Sequence, residues 1–401
     1  MGWLDFDAAA ADRVATLLRA LQEPATLDVL GLGSVRDAFS QMLHPGTSYV
    51  HTKLRYFMFL PWIFQRLEGD RVAPGDYFRR LRDHEAQLID CLRHLGPGQG
   101  VIGYYAGRNL KRMPSYIYWG ALWDWGVRRR AGDLGEYAQQ AAALGRRRAA
   151  RDDDGNVTDP LESMWAPLPY PPEDFLRADI DFEMRSEEAA ALVDNLRRRH
   201  PETMLASLCA EPSIAAGCKY PWDVPDTTAL SGVVLKVLFH ARCFSELTAG
   251  PQFAYNILVA RQARRELHWD TVRLEERQLG RLQDWVTLVE SRREALESWA
   301  ENLSGFWDIL HPYGIRHSTQ TFITRIVRSA VANPQGFEND STVHEQIRLR
   351  EIQMKGRRAR LAHRGALENW SGLPSGGQFE YRWSVAKPYL AEIATALQPG
   401  P

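Results

Sequence analysis

Cysteine is scarce in this 401-residue chain: Cys91, Cys209, Cys218 and Cys243, none in a C-x-x-C pair. Without paired ligands the common zinc frameworks are missing, and no metal is expected. Excess charge of either sign is also missing. Lys and Arg number 49 against 50 Asp and Glu, a net −1, which excludes a polyelectrolyte binder while leaving room for a local basic surface. No long hydrophobic run exists. The most apolar stretch, "YFMFLPWIF" at 56–64, is closed by Arg55 and by Gln65-Arg66. A membrane span needs about 20 such residues, so a buried helix bent or begun at Pro61 is expected, with no membrane partner. The opening "MGWLDFDAAAADRV" carries acids where a secretory leader needs positive charge, so a cytoplasmic location with reduced thiols is expected. No G-x-S-x-G elbow, H-E-x-x-H helix or G-x-x-x-x-G-K loop occurs. No cofactor is expected.

What is present is helical periodicity and 13 tryptophans, which favour thick helix–helix cores. The expected fold is mainly α and multi-domain: a helical N-terminal domain over 1–144, a linker or strap over 145–183, and a helical C-terminal domain over 184–401. Helices are expected over 5–23, from a Ser34 cap through Met42, over 49–67, and up to the Gly96-Pro97-Gly98 stop. Segments 101–110 and 115–127, split by Pro114, resemble a helix-turn-helix or winged-helix module. "PLPYPPEDF" at 167–175 reads as an extended strap anchored by Trp165, Tyr170 and Phe175. Ser186 is a plausible cap for the next helix. An apolar helix over 228–248 should stop at Gly250-Pro251, and one charged helix should span 270–302.

Several motifs suggest chemistry and mostly admit plainer readings. Gly31-Leu32-Gly33 fails the dinucleotide fingerprint because Arg36 stands where the third glycine belongs; a tight entry into a helix is expected instead. His51-Thr52-Lys53 matches half of an H-x-K phosphodiesterase site, but Met58 replaces the following Asp and no second copy exists. Asp152, Asp153 and Asp154 form an acidic run that reads as a solvated segment. Asp308, His311, Tyr313 and His317 read as loop chemistry.

Two basic stretches stand out. Arg108, Lys111 and Arg112 precede Tyr116, Tyr118, Trp119, Trp123 and Trp125; Tyr118, Leu122 and Trp125 fit a core stripe, leaving the cations outside. Arg348, Arg350, Lys355, Arg357, Arg358, Arg360 and Arg364 crowd a second segment. Cations at that density attract polyanions.

The strings "LGLGSVRDAFSQMLHPGTS", "RYFMFLPWIF", "GVIGYYAGRNLKRMPSYIYWGAL", "FHARCFSELTAGPQFAYNILVAR" and "ARLAHRGALENWSG" before "YRW" follow in order. As a set they resemble an uncharacterised bacterial family, a domain of unknown function covering about 1–395. The resemblance implies an accessory protein in anti-phage defence loci that also carry helicases, methyltransferases or nucleases. It transfers no catalytic residue.

The expected function is therefore a non-enzymatic defence component. It would bind double-stranded DNA, or a DNA-acting partner, through Arg108, Lys111, Arg112 and the 348–364 stretch. Two alternatives remain open: a scaffold without DNA contact, using aromatics such as those at 56–64, and a nuclease or nucleotide-processing enzyme built on Arg36, Asp37, His51 and Lys53.

Overall fold

The structure, a computed structural model, describes residues 28–70, 72–147, 163–225 and 229–398, with side chains through 141 in the second segment. The helix expected over 5–23 and the acidic run at 152–154 lie outside the described residues. Among those described, the fold is mainly helical and contains no strand, only a single bridge between Arg128 and Trp165. No described helix is long and apolar enough to cross a membrane.

The first half carries α1 (Gly33–Leu43), α2 (Tyr56–Gly69), α3 (Pro74–Leu92), α4 (Pro114–Asp124) and α5 (Leu134–Arg147). After an irregular stretch come α6 (Ser186–Arg199) and α7 (Met204–Leu208). The second half holds α8 (Gly232–Leu267), α9 (Val272–Ser291), α10 (Arg293–Glu301), α11 (Ser304–Leu310), α12 (His317–Ala332), α13 (Ser341–Lys355), α14 (Arg364–Glu368) and α15 (Trp383–Leu397).

Helix α2 is the hub of the first half. Every residue from Tyr56 to Phe64 is buried, and the helix packs on α3, α4 and α5. Pro61 lies inside it rather than at its start. The aromatic stretch is therefore core, and offers no scaffold surface. Helix α8 is the hub of the second half, touching α1, α9, α10, α12, α13 and α14. One buried core runs from Val29 to Ile393. Phe39 of α1 shows how the halves join: its ring meets Phe244 of α8, Phe306 of α11 and Tyr381 just before α15.

Several expected boundaries move, each for a tertiary reason. Asp28, not Ser34, caps α1: its carboxylate accepts from Leu32 N and Gly33 N. Residues 101–106 form turns, followed by one 3-10 turn at Gly107–Asn109. The first helix of the expected helix-turn-helix is thus missing, because glycines 100, 103 and 107 all take positive φ. Glu188 reaches back to Arg185 N at the start of α6, so Ser186 is inside the helix. Helix α8 runs straight through Pro251. Proline removes one backbone donor, but the neighbouring carbonyls find other partners: Trp285 Nε1 donates to Glu246 O and Gln252 Nε2 to Thr248 O. The single helix expected over 270–302 breaks at Arg292 into α9 and α10. Of the three expected strap anchors, Trp165 and Phe175 are buried and Tyr170 is 89% exposed.

Candidate functional site

The ten predicted polyanion contacts are not all available at the surface. Arg350 is buried. It donates through Nε to Leu30 O at 2.8 Å and through Nη2 to Thr319 Oγ1 at 2.8 Å. Its guanidinium also lies over the Phe322 ring, 5.1 Å from the centroid. Arg360 is buried beside Glu351, whose carboxylate accepts from Arg360 N, Leu361 N and Tyr255 Oη. These two arginines are structural and cannot meet a polyanion. Arg348 pairs with Glu345 at 2.7 Å, Arg364 with Glu368 at 3.0 Å, and Arg108 with Asp83. Lys355 is half-buried in the fields of Asp28, Arg358, Arg360 and Glu351, and Lys111 is exposed. Arg112, Arg357 and Arg358 are exposed and have no ion-pair partner among the described residues. Beside the first basic stretch, Tyr118, Leu122 and Trp125 are fully buried, as a core stripe requires, and Tyr116 is exposed.

Two of the concavities among the described residues could hold a guest. The first is a groove of about 330 Å³ between α12 and α13. Ser318, Thr321, Phe322 and Arg325 form one wall; Gln346, Leu349, Arg350 and Gln353 form the other. The helical spacing explains the second wall, since positions three and four apart share a face. Leu349 is 52% exposed, Arg325 is exposed, and no lining residue is acidic. Arg357 follows Gln353 by four residues, just past the Gly356 that ends α13 with φ +54°.

The second is a narrower cleft of about 190 Å³ under α15. The loop before α2 contributes Tyr49, His51, Thr52 and Lys53, and α15 contributes Ser384, Val385, Pro388, Tyr389 and Glu392. Two of the four residues of the enzymatic alternative, His51 and Lys53, thus share a cleft. Arg36 and Asp37 do not line it, and pair with each other on α1.

The cleft walls are well fixed. His51 stacks on Tyr118 with centroids 4.3 Å apart, and its Nε2 lies 3.3 Å from Ile117 O. A carbonyl only accepts, so Nε2 carries the proton and Nδ1 is an acceptor. Nδ1 is buried and has no hydrogen-bond partner. Burial first, then Arg382 and Arg112, push the imidazole down to about 3; it is neutral at physiological pH and a poor base. Lys53 is set by Gly100, where a Cβ would come 2.9 Å from the lysine Cγ. Thr52 Oγ1 donates to Gly100 O at 2.7 Å and holds the two strands of loop together. Glu392 accepts from Leu54 N through Oε2 at 2.8 Å, and its Oε1 sits 3.6 Å from Lys53 Nζ. Burial pushes this carboxyl up to about 6 against the opposing pull of Lys53. The Tyr389 hydroxyl lies close to that of Tyr118, which is already committed as donor to Lys53 O, and makes no well-formed hydrogen bond.

Sequence reasoning found His51 and Lys53 but missed Glu392. The available signal was its setting: Glu392 and Lys387 are the only charged residues in the otherwise apolar and small-residue α15. Phe322, Arg325 and Leu349 of the groove carried no motif at all.

A sequence-family model described as a family of unknown function (DUF6361) matches residues 1–397. No curated protein and no solved structure matches the chain.

Proposed function

The chain belongs to DUF6361, a family of unknown function, and from the geometry of its own residues we propose that it is a non-enzymatic component of bacterial anti-phage defence that holds a DNA-acting partner in the groove between α12 and α13. The observation that carries this reading is the groove's lining. It offers an exposed leucine beside a phenylalanine, a free arginine, and neutral amides and hydroxyls, with no carboxylate. Its complement is a segment with an apolar face and acidic flanks, laid in as helices are laid into grooves elsewhere. The defence setting, in the cytoplasm, is supported by the sequence's likeness to accessory proteins of loci that carry helicases, nucleases or methyltransferases. Affinity purification of the tagged chain, expressed with its neighbouring genes, tests the proposal. A DNA-acting protein should co-purify with the wild type and be lost with Leu349→Glu. Retention of that protein by the variant, or its absence from the wild type, counts against the groove.

Direct contact with duplex DNA is the second reading. Arg357 and Arg358 favour it, because they are exposed without a carboxylate partner among the described residues. Arg357→Ala/Arg358→Ala should then lower DNA retention at moderate salt, whereas Leu349→Glu should not.

A further inference from the structure

We propose that the cleft under α15 binds inorganic phosphate, which still carries a proton at neutral pH. This site is independent of the partner groove. The inference rests on what the walls still have to offer. Lys53 is a flexible point charge whose one carboxylate partner sits at 3.6 Å, beyond a good hydrogen bond. It can turn its donors to a phosphate oxygen, a familiar role for lysine. Facing them is an acceptor, Glu392 Oε1, since the other oxygen is occupied by Leu54 N. A guest therefore needs oxygens for Lys53 and an O–H for Glu392.

Phosphate at neutral pH has both. Sulfate has no O–H, and its oxygens would face the carboxylate unpaired. Sites built to accept from a guest hydroxyl reject analogues lacking it by large factors, because the buried polar group is stranded. Charge at longer range also favours an anion: Arg382 and Arg112 act on His51, and Arg36 acts on Tyr49. The one further carboxylate nearby, Glu380, is engaged by Tyr49 and by Ser384 N and Oγ. Pockets for drug-sized ligands run to about 300–1,000 Å³, so a cleft of about 190 Å³ suits a guest as small as a phosphate ion.

Glu392 also gives the site a pH signature. Of the groups that face it, Lys53 is its ion-pair partner, His51 stays neutral, and the Tyr49, Tyr118 and Tyr389 hydroxyls are held protonated by burial. The carboxyl itself, pushed up to about 6, is ionised at pH 7.5 and protonated at pH 5. At the lower pH it can donate to sulfate, so discrimination should shrink.

Calorimetric titration of the full chain at matched ionic strength tests the proposal, with inorganic phosphate, glycerol phosphate and sulfate as probes. At pH 7.5 inorganic phosphate should bind on the order of 100-fold more tightly than sulfate, and glycerol phosphate, whose second pKa of about 6 leaves it no proton to donate, should follow sulfate. Lys53→Met should weaken the binding of inorganic phosphate by at least about tenfold. Glu392→Gln keeps an oxygen for Leu54 N and gains an amide donor, so it should bring sulfate close to phosphate. The wild type at pH 5 should move the same way. Absence of binding by inorganic phosphate, parity of sulfate with phosphate in the wild type at pH 7.5, or phosphate binding unchanged by Lys53→Met would each overturn the site.

Discussion

Arg350 donates to the backbone carbonyl of Leu30 at 2.8 Å, across 320 residues of sequence. The same side chain reaches Gly31 O and Thr319 Oγ1, so the end of α13 is clamped to the turn that opens α1. Gly31 makes room for it. A Cβ there would collide with the guanidinium and with Met354, and φ is +66°. Arg350→Ala would strand several buried acceptors, each worth about 1–3 kcal/mol when unpaired. The expected loss is roughly 3 kcal/mol, read as a lower midpoint in urea unfolding. Arg357→Ala, seven residues on and exposed, should stay within about 0.5 kcal/mol of wild type. Equal effects at the two positions would contradict the clamp.

Gly250 and Trp285 make a second such junction. A Cβ on Gly250 would come within 2.5 Å of the indole ring, whose Nε1 donates to Glu246 O. Gly250→Ala removes no polar contact yet should cost about 1–3 kcal/mol through overpacking. Pushing the ring out should also redshift tryptophan emission. A variant as stable as wild type would mean that α8 and α9 can part cheaply.

Stability should also depend on pH through Glu85. Its carboxylate lies buried at the start of α4, accepting from Ser115 N at 2.6 Å and close to Ser115 Oγ. Burial pushes it up to about 7, from near 4.5 when unfolded. Between those values the folded state binds the proton and the unfolded state releases it, so stability falls as pH rises. The contribution is largest below about pH 4.5 and is lost by about pH 7, on the order of 3 kcal/mol. Glu85→Gln keeps both contacts without the charge. Its unfolding free energy relative to wild type should rise by that amount from pH 4.5 to pH 7.5. A pH-independent difference would show the carboxyl to be unperturbed.

Much of the helical order was legible because one face of each helix repeats every three to four residues. The stripe of Tyr118, Leu122 and Trp125 is buried as its spacing requires. Caps and breaks were less legible, since they depend on distant partners. Pro251 reads as a stop until Trp285 and Gln252 supply the neighbouring carbonyls with donors. Ser34 reads as a cap until Asp28 takes the position. The basic stretch misled for the same reason. Arg350, Arg357 and Arg360 look alike in sequence, and only the fold separates two buried anchors from one free cation. The cleft was half legible: His51-Thr52-Lys53 is local, but Glu392 joins it from 338 residues beyond Leu54.

The salt dependence of duplex binding tests most directly whether this protein works through a partner groove rather than a basic strip. Log affinity falls against log salt by about 0.9 per phosphate neutralised. With Arg112, Arg357 and Arg358 as the cations among the ten that have no ion-pair partner among the described residues, duplex binding through these ten should show a slope no steeper than about −3. A slope approaching about −9, as ten engaged cations would give, would contradict the account.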